Sequence, residues 1–236
     1  MIEATNLNKN FGKLKALNNV SITTGEGQSI ALIGPNGCGK TTFIKSILGM
    51  VVPDSGTIKI KEQNIAANWA YRSLIGYMPQ VGRYPDNMKI GQVIDMLTDI
   101  RQNTASTDED LINAFCLKKL YSKRMGTLSG GTMQKVSASI AFLFKPEILI
   151  LDEPTAGLDP ISSEALKEKI QAEKQNGKLF LITSHILSEL DELSTHIVYM
   201  QDGTIMLYKT MEELKSTTGE NRLSRAIAQL MAKTAQ

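Results

Sequence analysis

Ser29-Ile30-Ala31-Leu32-Ile33-Gly34-Pro35-Asn36-Gly37-Cys38-Gly39-Lys40-Thr41-Thr42 runs from an apolar segment into a glycine-rich turn and on into a helix-forming stretch. Ser29 to Ile33 suits a short buried parallel strand. The glycines at 34, 37 and 39 let backbone N–H groups turn inward around an anion. Lys40 adds a point charge at the β/γ-phosphates of a nucleotide, and the Thr41 hydroxyl is placed to ligate Mg²⁺. From Gly39 to Met50 the chain reads as a helix whose N-terminal dipole also faces the phosphates. A chance glycine turn would need neither the strand before it nor the helix after it. The order therefore implies nucleotide binding.

A second segment, Ile148-Leu149-Ile150-Leu151-Asp152-Glu153-Pro154, ends an apolar run in two carboxylates. Four apolar residues fit a buried central strand, and ligands of open α/β sheets bind at the C-terminal ends of such strands. Asp152 is positioned to hold Mg²⁺ through water. Glu153, one residue on, points to the other side and can accept a proton from an attacking water. Alone, the pair reads equally well as an acidic strand-end turn closed by Pro154. Beside a phosphate loop it reads as catalytic.

The third segment is Leu128-Ser129-Gly130-Gly131-Thr132-Met133-Gln134. Ser129 opens an expected helix as its N-cap, and Gly130 and Gly131 leave the first backbone N–H groups approachable. This is a second phosphate-binding helix end in a chain that already has one, so it suits the nucleotide of a partner subunit.

Together the three segments resemble the ATPase subunits of ATP-binding cassette (ABC) transporters, over about residues 2 to 215. The resemblance implies an α/β fold of P-loop NTPase type, mainly a parallel sheet, with an N-terminal antiparallel β-subdomain and an inserted helical subdomain. It implies ATP and Mg²⁺ as ligands and two copies meeting head-to-tail, each ATP clamped between one phosphate loop (34–42) and the opposite Ser129-Gly130-Gly131 helix. Phe11 resembles the aromatic residue that stacks on adenine, though the family more often has tyrosine. Gln80 resembles the glutamine that senses Mg²⁺ and the attacking water. Asp159, in Gly157-Leu158-Asp159-Pro160, resembles the contact residue of the loop that crosses the dimer interface. His185 resembles the histidine that touches the γ-phosphate and helps hold Glu153. His196, at the start of an expected strand, reads as structural. Thr132 and Lys135 stand where glutamine and arginine are commoner. Cys38 occupies a small-residue position; a thiol beside Lys40 at a helix N-terminus reads either as redox-sensitive or as a filler.

Composition narrows the setting. The 236 residues suffice for a full α/β core with one smaller lobe. A net charge of +2, from scattered basic residues, gives no electrostatic footprint for nucleic acid. Two cysteines make neither a disulfide framework nor a zinc pattern. The N-terminus lacks a basic start with an apolar stretch behind it, and no run approaches the roughly 18 to 20 apolar residues that span a bilayer. The expected setting is cytoplasmic, peripheral on the inner face of the membrane, with a separate integral membrane permease.

The expected organisation is an ATPase domain over 1–215, a helical subdomain inserted at about 86–145, and a short tail over 216–236. Strands are expected at Ile2–Leu7, Asn18–Thr24, Thr57–Ile60, Ile75–Met78, Ile148–Leu151, Leu179–Thr183, His196–Met200 and Thr204–Leu207. Helices are expected at Ile90–Arg101, Asp108–Phe115, Ser129–Phe144, Ser162–Gln175 and Leu187–Leu193, with a weak amphipathic one around Leu223, Ile227 and Leu230.

Three settings compete for the ATPase. It can be the motor of a transporter, whose segment 81–88 either seats a helix of the channel or is an exposed loop. It can be a soluble ABC ATPase for cofactor assembly or protein remodelling. An ABC ATPase acting on DNA or ribosomes fits least, since a long coiled coil, zinc fingers and a second cassette are absent. A narrower resemblance, carried by residues 128–136, 141–144 and 167–170, is to ATPase subunits of copper-handling systems that mature nitrous oxide reductase. It implies a periplasmic copper-binding companion, although the chain has no copper-ligand motif.

Overall fold

Residues 1–66, 68–101 and 107–234 are described by the computed structural model. They divide into two compact units, Met1–Arg72 with Leu179–Gln236, and Ser73–Lys178.

The first unit opens with β1 (Ile2–Phe11) and β2 (Leu14–Thr23), an antiparallel hairpin turning at Gly12 and Lys13. Both strands outrun the segments that alternation suggests. Their pairing slips at several points, and Asn6 and Asn19 adopt φ of +51° and +53°. Such bulges break the period-2 pattern without ending the strand, and asparagine tolerates the left-handed region. Next come β3 (Ser29–Ile33), every residue of it buried, α1 (Lys40–Ile47), β4 (Ser55–Ile60) and the two-residue β5 (Gln63–Asn64). β4 pairs with β1, giving a four-stranded antiparallel sheet in the order β2-β1-β4-β5.

The second unit holds β6 (Ile75–Met78), α2 (Ile90–Arg101), α3 (Asp110–Ala114), α4 (Gly130–Leu143), β7 (Ile148–Asp152) and α5 (Pro160–Gln175). β6 and β7 pair in parallel, from Ile75↔Ile148 to Met78↔Leu151. The buried core includes Met78, Val93, Leu111, Phe142, Ile148–Leu151, Leu166 and Ile170. This unit is wider than a helical insert over 86–145. Strand pairing holds β6 and β7 in it, and a buried cation holds α5: Lys169 Nζ lies 2.7 Å from Asp108, 2.6 Å from Asp110 and 2.7 Å from Glu173.

The chain then completes the first unit with β8 (Leu179–Thr183), α6 (Leu187–Leu193), β9 (His196–Gln201), β10 (Thr204–Thr210), α7 (Met211–Thr218) and α8 (Leu223–Thr234). β3 pairs in parallel with β8 and β9, and β10 closes antiparallel on β9. Phe43, Ile44 and Ile47 of α1 are buried in this unit, each contributing on the order of 2 kcal/mol by leaving water. A capping box between Thr210 and Glu213 starts α7, and Gly219 ends it at φ +71°. α8 packs on α6 and α7 with Leu223, Ala226 and Ile227 buried, so the stripe read as weakly amphipathic has partners. The Leu230 side chain and residues 235–236 lie outside the described residues. Among the described residues no helix is long and apolar enough to cross a membrane.

Candidate functional site

The loop after β3 is built by close backbone approach. Gly34 has φ +151°, and a Cβ there would strike the Met200 carbonyl and the Cys38 sulfur. Gly39 has φ +107° and lies against the Ala16 carbonyl of β2. Gly37, at φ +79°, has open space around its Cα, while Pro35 and Asn36 are exposed. Lys40 Nζ donates to the carbonyls of Gly34 at 2.7 Å and Pro35 at 3.1 Å, which turns the cation into the loop. Thr41 is exposed and Thr42 half-buried in the first turn of α1. This is a glycine-rich turn with one lysine at a helix N-terminus, the arrangement that binds phosphates. Cys38 is buried beneath Gly34 with its sulfur 3.7 Å from Lys40 Nζ, which favours the filler reading.

Phe11 ends β1 with its ring about half exposed. It pairs with Leu14, two residues before the Ala16 that touches Gly39, so the ring stands roughly 7 Å along the strand from the loop. Lys9 Nζ lies 5.5 Å from the ring centroid and 2.8 Å from Asp54 Oδ1. Asp54 also accepts the Asn10 N–H at 2.7 Å, fixing the strand end that carries the ring. His185 lies two residues beyond β8, exposed, in this same unit. His196 instead faces Gln28 Nε2 at 3.3 Å and Thr195 Oγ1 at 2.8 Å, and burial lowers its pKa, in keeping with a structural role.

The carboxylates, Gln80 and the second helix end belong to the other unit. Asp152 is the last residue of β7 and Glu153 follows it at φ +54°, both half-buried. Burial, and secondarily the Asp152 charge, push the Tyr77 hydroxyl pKa up. Gln80 is exposed two residues beyond β6. Ser129 caps α4, its Oγ accepting the Thr132 N–H at 3.3 Å. The first N–H groups of such a helix have no partner within it, and Gly130 has open space at its Cα.

Three contacts bind this helix end to the loop after β7. Gln134 Nε2 donates to the Glu153 carbonyl at 3.1 Å. A Cβ on Gly131 would lie 2.6 Å from the Gly157 carbonyl. Lys135 Nζ reaches Asp159 at 2.7 Å. Asp159 is also the N-cap of α5, accepting the Ser162 N–H at 3.0 Å. The sequence signal for that cap is Asp-Pro ahead of a helix. The approach to Ser129 is held as well, since Met125 donates to Met88 at 2.8 Å and Gly126 to Asp86 at 3.1 Å, joining it to the segment after Gln80.

Thus 34–42, Phe11 and His185 fall in one unit, and Gln80, Ser129–Gly131, Asp152, Glu153 and Asp159 in the other. Gln134 was not singled out by sequence reasoning, although it lies inside the quoted motif. Among the described residues no group of three or more acidic, His or Cys side chains is arranged to hold a metal ion. The Thr41 hydroxyl in one unit and the Asp152 carboxylate in the other are each oxygen donors of the kind that Mg²⁺ takes.

The family model of ABC transporters matches residues 17–156. The lantibiotic transport ATP-binding protein SrtF of Streptococcus pyogenes is 35% identical over 211 residues, covering 89% of this chain and 90% of that protein. The Nod factor export ATP-binding protein I of Burkholderia lata is 30% identical over 207 residues, covering 86% and 68%. A solved structure of the ATP binding subunit of an ABC transporter superposes with a TM-score of 0.90 at 26% identity, covering 98% of this chain and 99% of that one. A dimeric, post-hydrolysis cassette, MJ0796 bound to ADP and Pi, shares the fold at a TM-score of 0.80 and 22% identity, over 89% and 99%. A phosphate loop, a strand ending in two carboxylates, a capped Ser-Gly-Gly helix and these matches together make the chain a member of the ABC transporter family, an ATP-binding cassette that hydrolyses ATP.

Proposed function

We propose that the chain is the motor subunit of an ABC exporter and works as a head-to-tail homodimer on a separate membrane permease. The observation that carries this reading is the exposed, Ser129-capped end of α4, a second phosphate-type helix end in a chain that also has a complete phosphate loop. In this reading residues 34–42 hold the ATP phosphates and Phe11 stacks on the adenine. Thr41, Gln80 and, through water, Asp152 hold Mg²⁺. Glu153 takes the proton of the attacking water, with His185 beside the γ-phosphate. Ser129, Gly130, Gly131 and Asp159 serve the partner's nucleotide across the dimer. ATP binding closes the dimer and hydrolysis resets it. Residues 1–215 act as the cassette, with the helical insert at about 86–145 and residues 216–236 as an appendage.

The segment after Gln80 carries the change to the permease. Val81 is 68% exposed, and backbone hydrogen bonds from 125 and 126 to 88 and 86 join this segment to the approach to Ser129. Export is favoured by the relatives named for lantibiotic transport and Nod factor export. The subunit then resides at the inner face of the membrane. A second reading, copper handling for nitrous oxide reductase with a periplasmic copper-binding companion, has support only in the sequence texture of residues 128–136, 141–144 and 167–170.

The test is capture of partners from detergent-solubilised native membranes with tagged Glu153→Gln protein and ATP, read by mass spectrometry. Recovery of a multi-span membrane protein is expected. Recovery of soluble proteins alone would overturn the transporter reading in favour of cofactor assembly or remodelling, and a copper-binding periplasmic protein would favour the second reading.

A further inference from the structure

Glu153 adopts a conformation that its sequence resists. Its φ of +54° is disfavoured for any residue with a Cβ, and the following Pro154 favours an extended backbone at this position. The Glu153 carbonyl accepts from the Ala156 N–H at 3.1 Å and from Gln134 Nε2 at 3.1 Å. The first contact is local to the turn. The second comes from α4, from a side chain only 5% exposed, five residues beyond Ser129. A buried amide fixed on one carbonyl sets the plane of the peptide bond that follows Glu153, and with it the direction of the carboxylate.

We propose that Gln134 is a positioning residue for Glu153, and that it couples the seating of the Ser129–Gly131 helix end on a partner's nucleotide to the aim of this chain's own carboxylate. The proposal rests on the reading of Glu153 as the base. The Gly131–Gly157 and Lys135–Asp159 contacts make the helix end and the loop after β7 move together. Gln134 adds a side-chain contact from α4 to Glu153 itself. A shift in helix seating is therefore felt at the Glu153 peptide, and a misplacement of about 1 Å at a reacting group costs up to about 10²-fold in rate.

The experiment is a kinetic cycle on the full chain with its permease, using Gln134→Met and Glu153→Gln singly and together. Gln134→Met keeps the volume and removes the donor. Its kcat should fall about tenfold or more with KM for ATP within about twofold, a split that a general loss of fold would not produce. In the Glu153→Gln background it should cost nothing further in residual single-turnover rate. Gln134→Glu, the second variant should Met fail to fold, replaces the donor with an acceptor. Its rate relative to wild type should rise as pH falls and the carboxyl regains a proton to donate. Turnover of the folded variant within twofold of wild type, or an undiminished loss in the Glu153→Gln background, overturns the proposal. Glu153→Gln alone keeping half its rate would remove the base reading, and the positioning role would fall with it.

Discussion

Lys135 Nζ lies 2.7 Å from Asp159 Oδ2, so one ion pair joins the second turn of α4 to the cap of α5. The hydrogen bond from Lys135, with those from the Ser162 N–H and hydroxyl, holds the Asp159 carboxyl well below its ordinary value near 3.8. A carboxylate depressed in the folded state contributes stability that is present above its unfolded pKa and is lost as pH falls through the folded one. Lys135→Met should move the Asp159 titration up toward the ordinary range and shift acid unfolding to higher pH. Carboxyl NMR titration reads this directly; an unchanged Asp159 would mean that Ser162 alone sets it.

Glu153 separates function from stability. Glu153→Gln should lower turnover by about 10²- to 10⁴-fold while nucleotide affinity stays within about threefold. Glu153→Gly should be as inactive yet no less stable than wild type, because glycine occupies φ +54° without strain. Steady-state turnover, nucleotide titration and thermal melts on the same preparations check both. Turnover at half the wild-type rate in Glu153→Gln would exclude a base role.

Phe11 gives a prediction about the base rather than the phosphates. Phe11→Ala should weaken ATP binding by on the order of tenfold, the scale of one aromatic–base stack, and leave tripolyphosphate binding unchanged. Phe11→Tyr should bind ATP as wild type does. Equal losses for both ligands would mean that Phe11 supports the loop and not the base.

Gly39→Ala tests the backbone approach behind the loop. A Cβ there meets the Ala16 carbonyl at a φ of +107°, so neither rotation nor a side-chain shift relieves it. We expect a loss of about 3 kcal/mol by denaturant unfolding, and no measurable ATP binding in the protein that remains folded. Gly37→Ala has open space and only the strain of φ +79°, so it should be markedly milder.

Lys169 is the acid-sensitive post of the second unit. Burial would lower its pKa, but hydrogen bonds from its ammonium to Asp108, Asp110 and Glu173 outweigh that and raise it. Burial likewise pushes Glu173 up, and its bonds from Lys169 and Lys178 prevail and hold it low. Lys169→Met should cost about 3 kcal/mol at pH 7, because the acidic groups then face one another without their cation. The penalty shrinks as pH falls. Wild type loses the Glu173 contribution as pH falls below about 4.5, whereas the variant gains as its carboxylates protonate. The stability gap should therefore narrow between pH 7 and pH 4.

What the sequence made legible was whatever depends on neighbours along the chain. The span Ile90–Arg101 reads as a helix from its own period and is one, and Leu179–Thr183 reads as a buried strand and is one. Pairing and cavity-scale contacts were not legible. β1 outruns its alternation because its bulges are satisfied by β2 and β4, which no local pattern reports. The Lys169 cluster joins residues about sixty positions apart, and each member alone reads as a surface charge. Asp159 shows the mixed case: Asp-Pro before a helix is a readable cap, but its bond to Lys135 is not. Glu153 was readable as chemistry from its strand, while its left-handed backbone and the Gln134 amide behind it required the fold.

The β9–β10 hairpin turns on Asp202 and Gly203, both at positive φ, and this tip is bonded to the phosphate loop and to β2. Gly203 N–H donates to Cys38 O at 3.0 Å, and Gly203 O accepts from Asn18 N–H at 2.8 Å. The loop that holds the phosphates thus leans on residues that leave the ribosome long after it does. A nascent chain halted before Gly203 has the whole loop sequence and lacks its buttress. Competence to grip a nucleotide should therefore arise late in synthesis, and nucleotide in the cytosol would act on the finished cassette and not on its early folding.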